Sequence, residues 1–267
     1  MLVLSVLSGA AAAGPDRTPA PGPLRIIGGP GTGGCIAGAT QLPPEGIGFQ
    51  TIHASHASFW GAPETIAGMT ALGRAAAQAG LPTLLVEDIS FPRGGPMPGG
   101  HVSHQIGLDV DVALDMRPRP PLSPAARDGI DIASLVRADR RGVETTRWND
   151  GVVTLLRLAA GLPGVDRVLV NAAIKRQLCD TVTGDRTWLR RIRPWYGHAA
   201  HMHISFACPP GQPECVAIAP PPPGDGCDAT LQWWFDQLDA PPAKRDPGPP
   251  PKPRRPPAAC AAILTGG

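Results

Sequence analysis

His101-Val102-Ser103-His104-Gln105-Ile106-Gly107-Leu108-Asp109-Val110-Asp111-Val112-Ala113-Leu114-Asp115 changes character at Gly107. From there apolar and acidic residues alternate, with Leu108, Val110, Val112 and Leu114 on one side and Asp109, Asp111 and Asp115 on the other. A period of two belongs to a strand with one face against a core, so Gly107 to Asp115 is predicted as a strand. The irregular loop before it brings His101 and His104 to the strand's acidic face. His104 and Asp111, seven apart, would also share a helix face, but Gly107 and the β-branched alternation favour the strand. Imidazoles and carboxylates so gathered suit a borderline-soft divalent metal.

The chain has seven histidines, and a second cluster, His198-Ala199-Ala200-His201-Met202-His203, lies far downstream. His201 to Ala207 reads as a strand, on which His201 and His203, two apart, point the same way. One imidazole can then hold a metal while its neighbour reaches a substrate. A zinc with three protein ligands and a water in the fourth position acidifies that water to a pKa of about 7 and polarises a carbonyl, the apparatus of amide hydrolysis. The helical motif H-E-x-x-H is absent, and with it the glutamate base that motif supplies. A histidine, titrating near ~6.5, takes that role. Asp109 shares the strand face of Asp111 and is read as support for a ligand imidazole rather than as a ligand. Ser103 has no triad around it. His53 and His56 stand apart from both clusters and read as ordinary surface or core imidazoles.

Working outward, Pro63 to Gly80 carries apolar residues at helical spacing after a proline suited to a first turn. Leu81 to Ile89 reads as a buried strand, and Phe91 to Gly100 as a loop rich in proline and glycine. Beyond the central strand, Arg117 to Asn149 holds loops and a short helix. An amphipathic helix over Asp150 to Ala160, a strand over Val165 to Val170 and a helix from Asn171 to Cys179, capped by Asn171, come next. A last helical stretch covers Leu231 to Leu238. Gly28 to Gly34 reads as a flexible run and lacks the ending of a phosphate loop, which argues against nucleotide binding. Without a regular βαβ rhythm, the expected fold is α+β: one domain whose mainly antiparallel sheet carries the site, flanked by helices and tied by disulfides.

Composition narrows the class. The 33 glycines and 34 prolines among 267 residues gather near the ends and in short runs, leaving the middle to fold. Lys+Arg 24 against Asp+Glu 22 gives a net charge of +2, with no basic stripe interleaved with aromatics, so nucleic acid is excluded as a partner. Six cysteines, Cys35, Cys179, Cys208, Cys215, Cys227 and Cys260, form an even set without a CxxC pair. That pattern reads as disulfides and calls for an oxidising compartment such as a periplasm. Residues 1–13 resemble a secretory signal, an apolar run followed by small residues, though no charged region precedes it. Residues 14–24 are a Pro-rich linker, 25–240 the folded domain, and 241–267 a Pro-rich extension tied back by Cys260. No other segment has the ~20 apolar residues of a membrane span.

Gly99-Gly100-His101-Val102-Ser103-His104-Gln105-Ile106-Gly107-Leu108-Asp109-Val110-Asp111, together with Trp195-Tyr196-Gly197-His198-Ala199-Ala200-His201-Met202-His203, closely resembles the penicillin-insensitive murein endopeptidases. These are periplasmic zinc peptidases of the lysostaphin, D-Ala-D-Ala carboxypeptidase and hedgehog-like superfamily. The likeness runs from about Gly28 to Cys260 and includes Asn171-Ala172-Ala173-Ile174-Lys175 and all six cysteines. It implies Zn²⁺ on His104, Asp111 and His203, with His201 as general base. His101 and His198 would lie close to the metal, His101 as a further ligand or a neighbour, His198 as a catalytic or merely orienting group. It also implies the pairings Cys35–Cys260, Cys179–Cys227 and Cys208–Cys215.

The implied reaction cuts the D-alanyl to meso-diaminopimelyl crosslink between peptidoglycan stem peptides and is insensitive to β-lactams. A second zinc site, sometimes described in the family between the two clusters, finds no histidine between His104 and His198 here; Asp139 would be half of such a site. A carboxypeptidase trimming uncrosslinked stems shares the ligand pattern, and a non-catalytic peptidoglycan-binding protein would share the fold. Retention of both His201 and His203 argues against the binder. Trp195 and Tyr196 fit either a peptide groove or apolar packing beside the site.

Overall fold

The computed structural model describes residues 18–98, 101–239 and 255–265. The expected signal segment 1–13, linker residues 14–17 and most of the Pro-rich extension lie outside the described residues. Near the amino terminus β1 (Arg25–Gly29) and β2 (Gly33–Ala37) pair as an antiparallel hairpin. The glycine run read as flexible is therefore structured. Its glycines serve close approach: a Cβ on Gly34 would sit 2.2 Å from the Ile27 carbonyl oxygen and 2.4 Å from Ile106 Cγ2. Short strands follow as β3 (Thr40–Gln41), β4 (Glu45–Gly46), β5 (Phe49–Thr51) and β6 (Trp60–Gly61), the last pairing with β3.

Helix α1 (Pro63–Gln78) begins with proline as expected and buries Ile66, Met69, Leu72 and Ala76 along one stripe. The strand expected over Leu81 to Ile89 is only β7 (Leu84–Val86). Just past it the chain turns Glu87 and Asp88 toward the site while keeping two ladder bonds, Glu87 N to Asp111 O at 2.8 Å and Asp111 N to Asp88 O at 2.9 Å. The alternating segment forms β8 (Asp109–Ala113), buried throughout. Then come α2 (Pro124–Asp128), α3 (Asp150–Gly161), β9 (Val165–Val170) and α4 (Ala172–Thr181), with Asn171 capping α4 by accepting from Ala173 N. A three-residue strand that the sequence did not signal, β10 (Ile192–Pro194), precedes β11 (His201–Phe206), and α5 (Ala229–Asp239) and α6 (Ala261–Thr265) complete the chain.

The main sheet has seven strands in the order β10-β9-β11-β8-β7-β5-β4. Only β10/β9 and β5/β7 pair in parallel, so the sheet is mainly antiparallel and the fold α+β as expected. Its centre positions the site. β11 lies against β8 with His203 directly opposite Asp111 and Ser205 opposite Asp109. Met202, Ile204, Val110 and Val112 belong to the main apolar core, and the alternation of a strand turns their neighbours to the other face. The three disulfides are Cys35–Cys260, Cys179–Cys227 and Cys208–Cys215, the set the resemblance implied. No described helix is long and apolar enough to cross a membrane.

Candidate metal centre and active site

The innermost part of the site is built by the β8–β11 register. His203 is flanked by both acids of β8: its Nδ1 lies 2.9 Å from Asp111 Oδ1 and its Nε2 2.9 Å from Asp109 Oδ1. His104 enters from the loop ahead of β8, where Gly107 turns at a φ of 71° in a place too tight for a side chain, since a Cβ would meet Gly61 Cα at 2.9 Å. His104 Nε2 then stands 3.1 Å from His203 Nδ1 and 3.2 Å from Asp111 Oδ2. Its far nitrogen, Nδ1, donates to the Ile89 carbonyl at 2.9 Å.

This arrangement fits a metal. His104 Nε2, His203 Nδ1 and the Asp111 carboxylate face one another at about the spacing of neighbouring ligands around one ion with bonds of ~2.0–2.2 Å. The opposite nitrogens of both imidazoles are already committed, to a carbonyl and to a carboxylate, which is how ligand histidines are held in orientation. Asp109 Oδ2 is buried without a hydrogen-bond partner among the described residues, a negative charge that a cation at the centre would offset. Candidate metal-holding groups are His101, His104 and Asp111, and Asp111, His198 and His203, sharing Asp111.

The three remaining clustered histidines ring this centre. His101 lies 3.7 Å from Asp111 Oδ2 and 3.6 Å from Asp88 Oδ2. His201 presents Nε2 to Asp111 Oδ2 at 3.8 Å and Nδ1 to Glu87 Oε2 at 3.9 Å. His198 takes a left-handed φ of 48°, uncommon for a residue with a Cβ. Its loop is pinned by Asn171, whose backbone N–H donates to His198 O and whose side-chain amide donates to Gly197 O, both at 2.9 Å. His198 Nδ1 donates to Tyr196 O at 2.6 Å, and its ring lies 5.3 Å from that of His201 and 5.6 Å from that of His203.

Charge separates these imidazoles into two kinds. Burial works against a positive His203, but hydrogen bonds and charge from Asp109 and Asp111 outweigh it and hold its pKa up to about 10. His104 is raised in the same way, burial being overcome by Asp111, while Asp111, despite burial, is held well below the usual carboxylate range by His104 and His203. A cation binding here must displace protons from both imidazoles. His201 is instead lowered by burial against the pull of Asp111, and His198 is pushed down to about 4 by burial and the charge of His203. Both lean to the neutral form, His198 the more strongly of the two.

Three site groups escaped the sequence reading. His56 is not isolated: its Nδ1 lies 3.1 Å from Asp88 Oδ1, and it shares with Asp88 and His101 the wall of a cavity of about 210 Å³. Asp88 also accepts from the Ser58 hydroxyl. Glu87 is pushed up to about 8 by burial and by the charges of Asp111 and Asp88. The available signal was two adjacent acids inside an apolar run, since buried carboxylates are rare without a task. Asp139 is exposed and engaged by Arg137 and the Arg141 backbone, and it joins no candidate metal group among the described residues. Ser103 approaches His203 Nε2 at 3.5 Å, the same nitrogen that faces Asp109. His203 is held between Asp109 on Nε2 and Asp111 on Nδ1, which keep its pKa up to about 10, so it has no free nitrogen to take the serine's proton and Ser103 is not set up as a nucleophile.

A strand pair and the loop before it bring two buried histidines and a buried aspartate to one point, with a second aspartate behind His203 and neutral imidazoles beside it, a centre of the histidine–aspartate type. The chain belongs to the penicillin-insensitive murein endopeptidase family, whose model matches residues 26–265. Relatives bearing that name include the protein of Haemophilus influenzae (strain ATCC 51907 / DSM 11121 / KW20 / Rd), 44% identical over 77% of this chain and 71% of its own. That of Klebsiella pneumoniae (strain 342) is 40% identical over 86% and 83%, and that of Salmonella paratyphi B (strain ATCC BAA-1250 / SPB7) 41% identical over 82% and 79%. The expectation of a peptidase acting on peptidoglycan is thereby met.

Proposed function

We propose that this murein endopeptidase is a zinc enzyme of the periplasm that hydrolyses the D-alanyl to meso-diaminopimelyl amide of crosslinked stem peptides. The observation that carries the metal is the mutual approach of His104 Nε2, His203 Nδ1 and Asp111 at 2.9–3.2 Å, with the outer imidazole nitrogens held by Ile89 O and Asp109. Zinc held there would supply a Lewis acid that polarises the scissile carbonyl and makes water a nucleophile near pH 7. His104, Asp111 and His203 are its ligands, and Asp109 fixes the ring of His203. His201, uncharged and at the rim of the centre, takes the proton of the attacking water and returns it to the departing amine. His101 and His198 border the reacting groups on either side. Three formed disulfides support an oxidising compartment. β-Lactams, which need an acylable serine, should leave the activity unchanged.

Two variants test the division of roles. His203→Ala should lose bound zinc and activity together, whereas His201→Ala should keep its zinc, measured by elemental analysis, while turnover falls by at least ~10²-fold. Equal loss of metal in both would contradict the assignment of His201 as base.

A further inference from the structure

The chain has only six tryptophans, one tyrosine and five phenylalanines. The tyrosine and three of the tryptophans meet in one surface patch: Trp195 and Tyr196 from the loop after β10, Trp233 and Trp234 from α5. Tyr196 and Trp234 are the closest pair, with ring centroids 4.7 Å apart, and Trp233–Trp234, Trp195–Tyr196 and Trp195–Trp234 follow at 5.2, 6.0 and 6.2 Å. Core packing does not account for them, because Trp195, Tyr196 and Trp233 are 51%, 63% and 46% exposed. Contiguous exposed aromatic surface of this kind marks a place where something binds.

The patch is built to keep its shape. Helix α5 buries Leu231 and Phe235, and Cys227, just ahead of it, is bonded to Cys179 of α4. The loop is held by Trp195 N donating to Val170 O at 2.8 Å and by the Asn171 amide on Gly197 O. The patch is also continuous with the active site, since Tyr196 O accepts the Nδ1–H of His198.

We propose that these four rings are a platform for the sugar strand from which the cleaved peptide hangs. The ligand class follows from the substrate: peptidoglycan joins short peptides to an aminosugar polymer, and of the two parts the pyranose rings offer flat C–H faces that match aromatic planes. The reach agrees. Tyr196 is two residues from His198, so their Cα atoms lie within about 7.6 Å of each other, while a stem of three or four residues spans at most about 10–14 Å. A crosslink held beside His203, whose ring lies 5.6 Å from that of His198, leaves its parent sugar within reach of the aromatic patch. The platform would give the enzyme affinity for the polymer without altering chemistry at the bond. It rests on peptidoglycan as the substrate and not on the identity of the metal.

The test compares two substrates with the full-length Trp233→Ala and Trp234→Ala proteins and their double variant. On intact sacculi the double variant should lose about tenfold in kcat/KM, while on crosslinked peptide dimers stripped of sugar by an amidase it should match the wild type, which also shows that it is folded. Stem-free oligosaccharides of N-acetylglucosamine and N-acetylmuramic acid should change the tryptophan fluorescence of the wild type and not that of the double variant. Unchanged rates on sacculi, or equal losses on both substrates, would overturn the platform alone. If the wild type cuts neither substrate, the peptidoglycan reading fails and the platform with it.

Discussion

Asp109 shows how much of the site depends on a residue outside the proposed ligand set. It is fully buried on β8, takes the Nε2 face of His203 at 2.9 Å and accepts from the Ser205 hydroxyl at 2.7 Å. By fixing one nitrogen of His203 it presents the other to the centre, and its charge raises the basicity of the ring. Asp109→Ala should therefore weaken metal binding by about 10–100-fold, read by competition with a chromophoric chelator, with His104 and Asp111 untouched. An unchanged metal affinity would deny it that role. Residues of this sort divide by how visible they are in sequence. Asp109, His104, Asp111, His201 and His203 could be found because strand alternation and the spacing H-x-H put them on one face. Glu87 and His56 showed far less, because only the path of the chain past β7 brings Glu87 to His201 and Asp88 to His56.

At the level of elements, α4 links the site loop to the core. Asn171 caps the helix and pins the His198 loop, and one turn later Lys175 is wholly buried, donating from Nζ to Leu189 O at 2.8 Å and to Asp225 O. Burial and the nearby Arg193 charge push Lys175 down from 10.5 to about 7. Between those values the unfolded chain binds the proton and the folded one does not, so this group makes stability rise with pH from about 7 to 10.5 and costs most below 7. Lys175→Met removes that dependence. The difference in unfolding free energy between the wild type and the variant, measured by denaturant titration, should move in favour of the wild type across that window and stay level below it.

The central strands and four longer helices were legible because each buries a regular stripe or alternates faces. β10 was not, since Ile192-Arg193-Pro194 is three residues long and ends in proline. The β1–β2 hairpin was missed because its glycines, selected for close contact with Ile27 and Ile106, carry no strand propensity.

Across the molecule, Cys35–Cys260 spans 225 residues and fastens the carboxyl-terminal helix α6 to the first hairpin. In the chain-entropy view, a loop of that size stabilises the fold by up to about 5 kcal/mol, far more than closure of the seven-residue Cys208–Cys215 loop. Cys260→Ser should lower the midpoint of thermal unfolding well beyond the effect of Cys215→Ser, measured by calorimetry in parallel samples. Equal shifts would show that the terminal tie does little. The same molecule-wide view joins fold to function, because the register of β8 and β11 at the middle of the sheet, with the loop before β8, assembles a candidate metal-binding group that neither strand holds alone.

That group is tested most directly with purified protein and defined crosslinked muropeptide dimers, followed by mass spectrometry with chelator, without it, and after zinc is restored. The account predicts monomers released by cleavage of the D-alanyl to meso-diaminopimelyl bond, none in chelator, and recovery with zinc. Cleavage that continues undiminished in chelator, or dimers left intact with zinc present, would contradict it.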